Sequence, residues 1–188
     1  AMATALATIN LPDSAARTAW CEAARANYVA ALTAPEQPGD VDMGVITAQI
    51  QDSLPANAIV THGAGNFSIW PNKFLRYGRD QRMLGPQSGS MGFGLPAALA
   101  AKVHDPSRFV LCFAGDGDFQ MNGNELGTAL QSGLNPVILI INNSSYGTIR
   151  MHQERHYPAR VSGTEIVNPD YLAIAAAYGF HGERVTRT

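Results

Sequence analysis

The chain has 188 residues, of which 46% are hydrophobic and 15% charged, with a formal net charge of −2. That is enough apolar material for one full core, and a balance this close to neutral excludes a basic face for nucleic acid. Two cysteines, Cys21 and Cys112, are too few for a disulfide scaffold, no apolar run approaches the roughly 20 residues that cross a bilayer, and the amino end lacks a signal-peptide layout. A soluble cytoplasmic protein is expected, with neither nucleic acid nor membrane as partner.

In chain order, Ala1 to Thr8 is small and featureless, and Asp13 to Leu32 reads as an alanine-rich helix capped by Asp13 or Ser14. Thr33 to Gly39 is a proline-containing linker, so the expected division is a helical and linker segment, 1–40, followed by an α/β domain, 41–188. Asp42 caps a helix running to Leu54, with Val45, Ile46, Gln49 and Ile50 as its apolar stripe. Ala58 to Thr61 is a short strand, a glycine loop follows, and Phe67 to Arg76 is helical. After a loop through Pro86, Leu95 to Val103 is a helix of small residues. Arg108 to Ala114 and Pro136 to Ile141 read as buried strands, and between them Asn122 to Gly133 reads as a helix containing Glu125, Leu126, Ala129 and Leu130. Tyr171 to Tyr178 is a further helix, and His181 to Val185 looks like the start of another strand. A strand, helix, strand unit with the usual right-handed crossover makes its strands parallel, so the expected fold is a doubly wound, mostly parallel α/β sheet with helices on both faces. Gly85 to Gly94 and Ser144 to Gly163 lack a continuous apolar face and are expected to be mobile until a ligand or a further domain orders them.

Parallel strands send their carboxyl ends to one edge of the sheet. One strand there runs into Ala114-Gly115-Asp116-Gly117-Asp118-Phe119 and the other into Ile140-Ile141-Asn142-Asn143. Gly-Asp-Gly alone is a common turn and Asn-Asn a common loop start. Together they place a carboxylate and a carboxamide side by side, which suits magnesium: a hard cation that shares its octahedral oxygens among a few side chains, waters and phosphates. Asp116 supplies charge, one of the two asparagines a neutral oxygen, and the Ser145 backbone carbonyl a third ligand. Alternation along a strand keeps Asn142 and Asn143 from both facing the metal. Gly115 and Gly117 let backbone and phosphate approach closely, and the following helix presents amide donors.

These segments resemble the signature of thiamin diphosphate-dependent enzymes, and the resemblance runs from about Val41 to Val185. It implies thiamin diphosphate and Mg2+ as cofactors, with Asn143 as the asparagine that joins Asp116 and Ser145 around the metal. Gly115, Gly117, Asp118, Tyr146, Gly147 and Thr148 are then cofactor-binding residues. Ser88-Gly-Ser-Met-Gly-Phe-Gly-Leu-Pro-Ala-Ala98 resembles the segment of acetolactate synthases that contacts the aminopyrimidine ring. Met91 would be the wedge that bends the cofactor, the Gly89 carbonyl would accept from its amine, and Ser90 lies between them. Thr61 to Trp70 corresponds to the loop touching the diphosphate, which suggests Ala64, Gly65 and Asn66. The implied identity is the carboxy-terminal, diphosphate-binding domain of an acetolactate synthase large subunit-like enzyme, a transferase or lyase that decarboxylates pyruvate and transfers the two-carbon unit. The expected fold is that domain, truncated at its carboxyl end.

Three departures bear on this. Asp118 stands where many relatives have a phosphate-facing serine, so its charge is expected to be turned away or screened by the cation. Tyr146 to Glu154 lacks the tryptophan usual near an acetolactate synthase active-site entrance, and Phe67 replaces a polar residue in the diphosphate loop. Other thiamin enzymes, such as benzoylformate- or oxalyl-type decarboxylases, share this core and form the alternative, alongside a noncatalytic dimerisation module that retains the fold. In the family the activating glutamate comes from a pyrimidine-binding domain, generally across a subunit interface. None of Glu22, Glu36, Glu125, Glu154, Glu165 or Glu183 has that context, so no catalytic residue is assigned. A homo-oligomer acting on a small 2-keto acid is expected, with the chain inactive in isolation and FAD use left open. The remaining motifs are weaker. His152 and His156 have helical i, i+4 spacing but no third zinc ligand, and His62, beside the glycine loop, is either a ligand contact or, by preference, a satisfied strand-end histidine. Gly63-Ala-Gly65 lacks the third glycine of a dinucleotide fingerprint. Arg150 and Arg155 are either substrate-carboxylate partners or solvated charges.

Overall fold

A computed structural model of the chain describes Thr8 and Ser14–Thr188, which fall into two compact units dividing after Pro35. The first unit carries α1 (Ala15–Ala31), whose amino end is closed by Ser14: its hydroxyl accepts from the Arg17 amide at 3.1 Å. The other expected cap, Asp13, and the stretch 1–7 lie outside the described residues.

In the second unit, β1 (Ile59–His62), β2 (Arg82–Leu84), β3 (Val110–Gly115) and β4 (Val137–Ile141) form one sheet in the order β2-β1-β3-β4, with every neighbouring pair parallel. β1 and β3 are buried at every position, which requires cover on both faces of the sheet. On one face Ile59, Val110, Cys112 and Ala114 join Leu95, Ala98 and Leu99 of α3 (Gly94–His104), together with Phe119, Leu126 and Ala129. On the other pleat Val60 and Phe113 are fully buried, and α2 (Met43–Ser53) packs against a turn of π-helix, Trp70–Phe74. Lys102 of α3 is buried without an acid; its ammonium donates to the Pro106 and Arg108 carbonyls at 2.8 and 2.9 Å and closes the turn into β3.

Several elements differ from the sequence reading. The inward side of α2 centres on Thr47, 1% exposed with its hydroxyl on the Met43 carbonyl, while Val45 and Gln49 of the expected stripe face outward. The expected helix at Phe67–Arg76 is a 3-10 turn, Asn66–Ser68, followed by the π turn: Pro71 has no amide to give, and the Asn72 side chain takes the Ser68 carbonyl at 2.7 Å. The helix expected from Asn122 begins at Asp116. It runs as α4 (Asp116–Asn122), is interrupted by a 3-10 turn at Gly123–Glu125, and resumes as α5 (Leu126–Ser132), closed by Gly133 at φ 64°. Leu126 and Ala129 of α5 are buried and Leu130 is exposed. Arg82–Leu84, within the expected loop, pairs with β1 as the edge strand β2, and its three residues are all exposed. β4 is half-exposed rather than buried, since no described strand pairs with its outer side, and His181–Val185 forms no strand. Ser144–Gly163 contains α6 (Gly147–His156), and the last helix is α7 (Tyr171–Ala177). Among the described residues no helix is long and apolar enough to cross a membrane.

Candidate functional site

Because all four strands run the same way, the loops after β1, β3 and β4 emerge together and line a cleft of about 350 Å³. Ala64, Gly65 and Asn66 reach it from β1, Gly115 to Asp118 from β3, and Asn143 and Ser145 to Thr148 from β4; Met91 enters from the loop before α3. Gly89 and Ser90 do not line it. The Ser90 hydroxyl instead lies 2.8 Å from that of Ser88. Phe67, Ile69, Trp70, Ile141 and Ile149 give the cleft apolar wall. A more open hollow beside Asp42 and the last three residues holds none of the expected site residues.

Asp116 is 3% exposed. Its Oδ2 accepts from Asn168 Nδ2 at 2.7 Å, and its Oδ1 receives no hydrogen bond among the described residues. The two asparagines, just past the end of β4, face different ways. Asn142 turns to Asn168 at 2.9 Å and to the Ser144 amide at 3.0 Å, whereas Asn143 lines the cleft and accepts from the Ser145 amide at 3.1 Å. A buried carboxylate with one oxygen held and one unfilled, next to a carboxamide and a serine backbone, is a donor set that fits a small hard cation. It contains a single carboxylate, so it is distinct from any cluster of three His, Cys, Asp or Glu, none of which occurs among the described residues.

Asp118, also 3% exposed, spends its Oδ1 on two amides, Ala64 at 3.0 Å and Gly92 at 2.9 Å. One oxygen therefore ties the loop after β1 to the loop before α3. Burial pushes this carboxyl's pKa up, opposed by the two amide bonds and by His62. Gly63 is required beside it, since a Cβ there would stand 1.9 Å from Asp118 Oδ1. His62 is 7% exposed; its Nδ1 is 2.7 Å from the Gly63 carbonyl, which can only accept, so Nδ1 carries the proton and Nε2 accepts from the Asn72 amide at 3.0 Å. It is a satisfied structural histidine. The far wall is fixed by a Thr148 hydroxyl bond to Asn66 Oδ1 at 2.8 Å and by the strap 164–166, where the Tyr146 amide donates to Thr164 and the Ile166 amide to Ser144.

Of the weaker motifs, His152, His156, Arg150 and Arg155 do not line the cleft. His152 and His156 stack at 6.3 Å on α6, and Arg150 pairs with Glu154 at 3.0 Å on the exposed face. Sequence reasoning missed Asn168 and Tyr171. Asn168-Pro-Asp170 signals only a helix start, and Asp170 does cap α7 by accepting from the Leu172 amide at 3.0 Å; nothing local says that the residue two places earlier returns to Asp116.

The family described as "Thiamine pyrophosphate enzyme, C-terminal TPP binding domain" matches residues 63–188. Similar proteins include the acetolactate synthase isozyme 2 large subunit of Escherichia coli (strain K12), 36% identical over 155 residues, 81% of this chain and 28% of that protein. The acetolactate synthase large subunit of Parasynechococcus marenigrum (strain WH8102) is 37% identical over 82% of this chain and 25% of its own length, and that of Cyanidium caldarium 38% identical over 71% and 23%. The chain thus spans about a quarter of the length of the relatives it matches. With the parallel sheet, the glycine loops and the family match in agreement over the same residues, the chain belongs to the thiamine pyrophosphate enzymes, as their C-terminal cofactor-binding domain.

Proposed function

We propose that residues 41–188 hold the diphosphate and magnesium of thiamin diphosphate within an acetolactate synthase-like enzyme that decarboxylates a 2-keto acid, pyruvate in the first instance, and transfers the two-carbon unit. The observation that carries this reading is the buried Asp116 carboxylate, whose Oδ1 has no hydrogen bond among the described residues, in a residue that lines the same cleft as Asn143 and Ser145. Asp116, the Asn143 carboxamide and the Ser145 carbonyl hold the cation. Ala64, Gly65, Asn66, Gly115, Gly117 and the segment Tyr146 to Thr148 surround the diphosphate, with backbone amides as donors where glycine permits close approach. Met91 is the apolar contact for the bent cofactor, with Gly89 and Ser90 beside the aminopyrimidine. Asp118 contributes by holding the two loops together. Bound thiamin diphosphate supplies the nucleophilic carbon for attack on a 2-keto acid, and the activating glutamate comes from a pyrimidine-binding domain, presented in a homo-oligomer.

The test is calorimetric titration of thiamin diphosphate into the chain with and without MgCl2, repeated on Asp116→Ala. Magnesium-dependent binding that disappears in the variant is the expected result; binding indifferent to Asp116 removes the reading, and no binding by the parent favours the dimerisation module. Phe67 and the absence of tryptophan between Tyr146 and Glu154 support a second reading, a simple decarboxylase of the same superfamily. The product of the assembled enzyme separates the two, acetolactate for the first and a free aldehyde for the second.

A further inference from the structure

Asn168 lies two residues before Asp170, the cap of α7, and makes four side-chain hydrogen bonds of 2.9 Å or less. Its amide nitrogen donates to Asp116 Oδ2 at 2.7 Å and to Asn142 Oδ1 at 2.9 Å, which uses both of its protons. Its carbonyl oxygen accepts from Tyr171 Oη at 2.9 Å and from Gln120 Nε2 at 2.8 Å. The nitrogen side fixes the amide orientation, because a flipped carbonyl would meet Asp116 Oδ2 and the Asn142 Oδ1 that accepts from the Ser144 amide. Tyr171 is held in turn by edge-on packing on Phe119, 5.6 Å between ring centres, and its hydroxyl also reaches the Asp116 backbone carbonyl at 3.3 Å. Asn168 is thus a fixed element and not a solvated side chain that happens to lie near a carboxylate.

A carboxylate can bind a cation through one oxygen or through both. Magnesium at about 2.1 Å with strict octahedral geometry takes one; calcium, larger and tolerant of six to eight ligands, readily takes two. Oδ2 of Asp116 is engaged by Asn168, while Oδ1 carries no hydrogen bond among the described residues and is the less encumbered ligand. We propose that Asn168 is a positioning residue for the metal site: it holds Asp116 in a one-oxygen pose that favours magnesium over calcium and couples that pose to the docking of α7. The proposal rests on the reading of Asp116 as a metal ligand.

The experiment compares the parent chain with Asn168→Ala, near-isosteric Asn168→Leu, and Asp116→Ala, titrating thiamin diphosphate in MgCl2 and separately in CaCl2, with unfolding curves recorded for each variant. Losing an outer partner of a metal ligand weakens metal-dependent binding by about 10- to 100-fold. The expected result for both Asn168 variants is a loss of that size in magnesium and a several-fold smaller one in calcium, because a freed carboxylate can meet calcium with both oxygens. A general loss of folding would lower both equally, so equal losses overturn the proposal, as does parental affinity in either Asn168 variant. Should Asn168→Ala not fold, the magnesium-to-calcium ratio of Asn168→Leu decides alone; should neither fold, the same ratio in Tyr171→Phe decides, where a value equal to the parent's overturns the proposal. If Asp116→Ala abolishes binding while the Asn168 variants keep the parental ratio, only this inference fails. If Asp116→Ala binds like the parent, or the parent shows no metal-dependent binding, the metal-site reading fails and takes the inference with it.

Discussion

Replacing Asp118 tests whether its carboxylate is a structural clasp. In Asp118→Ala the Ala64 and Gly92 amides lose a shared acceptor in a position 3% exposed. A hydrogen bond to a charged group contributes about 1.5–3 kcal/mol, and a buried amide left unmade is costly in itself. Against that stands the relief of removing a buried charge, the same burial that raises this carboxyl's pKa. The net loss is therefore about 2–3 kcal/mol, which in a chain of this length lowers Tm by about 4–12 °C. Asp118→Asn separates the two contributions, since its carbonyl oxygen can still accept from both amides without carrying charge, and it is expected to stay within about 1 kcal/mol of the parent. Thermal and urea unfolding of the three proteins reads the difference directly. The reasoning is refuted if Asp118→Ala melts with the parent, or if Asp118→Asn falls as far as Asp118→Ala.

Gly63→Ala places a Cβ 1.9 Å from Asp118 Oδ1 and breaks the same clasp, so it should cost the parent about as much as Asp118→Ala, yet cost markedly less in an Asp118→Ala background. Additive unfolding energies in that double-mutant cycle would show that the two residues do not meet. Cys112 is fully buried, with its thiol pushed up to about 12 by burial, while Cys21 is exposed. A thiol reagent at pH 8 should therefore label one cysteine rapidly in the native chain and the second only on unfolding. The sign of the pH dependence follows. Between the ordinary thiol value of about 8.5 and the folded value, native Cys112 keeps a proton that the unfolded chain has lost, so stability is highest below that window and falls as pH rises through it, by at most about 1.4 kcal/mol per pH unit. Comparison with Cys112→Ala by urea unfolding at pH 8 and 10.5 isolates this contribution; parallel losses in the two proteins would refute it.

The parts of the site that could be read in the sequence are those written in contiguous segments at strand ends. β3 and β4 announce themselves by apolar runs, and because they are parallel, Asp116 and Asn143 are bound to meet at one edge. The asparagine pair lies just past the end of β4 and faces two ways, Asn143 to the cleft and Asn142 to Asn168; alternation gave only that they would differ, and the resemblance gave which one. What escaped was set by long-range geometry. The position of α4 follows from the chain turning into helix directly at Gly115, so a motif that reads as a turn is in fact the first turn of a helix. The exposure of β4 depends on which strand lies beyond it, information that Val137 to Ile141 do not carry. The inward face of α2 is chosen by Thr47, a polar residue that can be buried only because its hydroxyl finds the Met43 carbonyl one turn back.

The departure at Asp118 also changes how the loop before α3 should be understood. A residue that bonds a phosphate can order its loop only when the cofactor is present, whereas Asp118 bonds the protein. The Gly92 peptide is held from both sides, its amide by Asp118 at 2.9 Å and its carbonyl by the Asn122 side chain at 2.8 Å. Side chains at Gly92 would collide with Met121 and Asn122, so the backbone is drawn in as tightly as glycine allows, at φ 80°. Met91 therefore hangs from a peptide fixed by α4, while Gly89 and Ser90, three and two residues upstream of that clamp, bond only within their own loop, Gly89 to the Pro86 carbonyl at 3.3 Å and Ser90 to Ser88. This gradient explains why Met91 lines the cleft and its two neighbours do not. Met91 is thus set in place from α4, whereas Gly89 and Ser90 depend on bonds within their own loop.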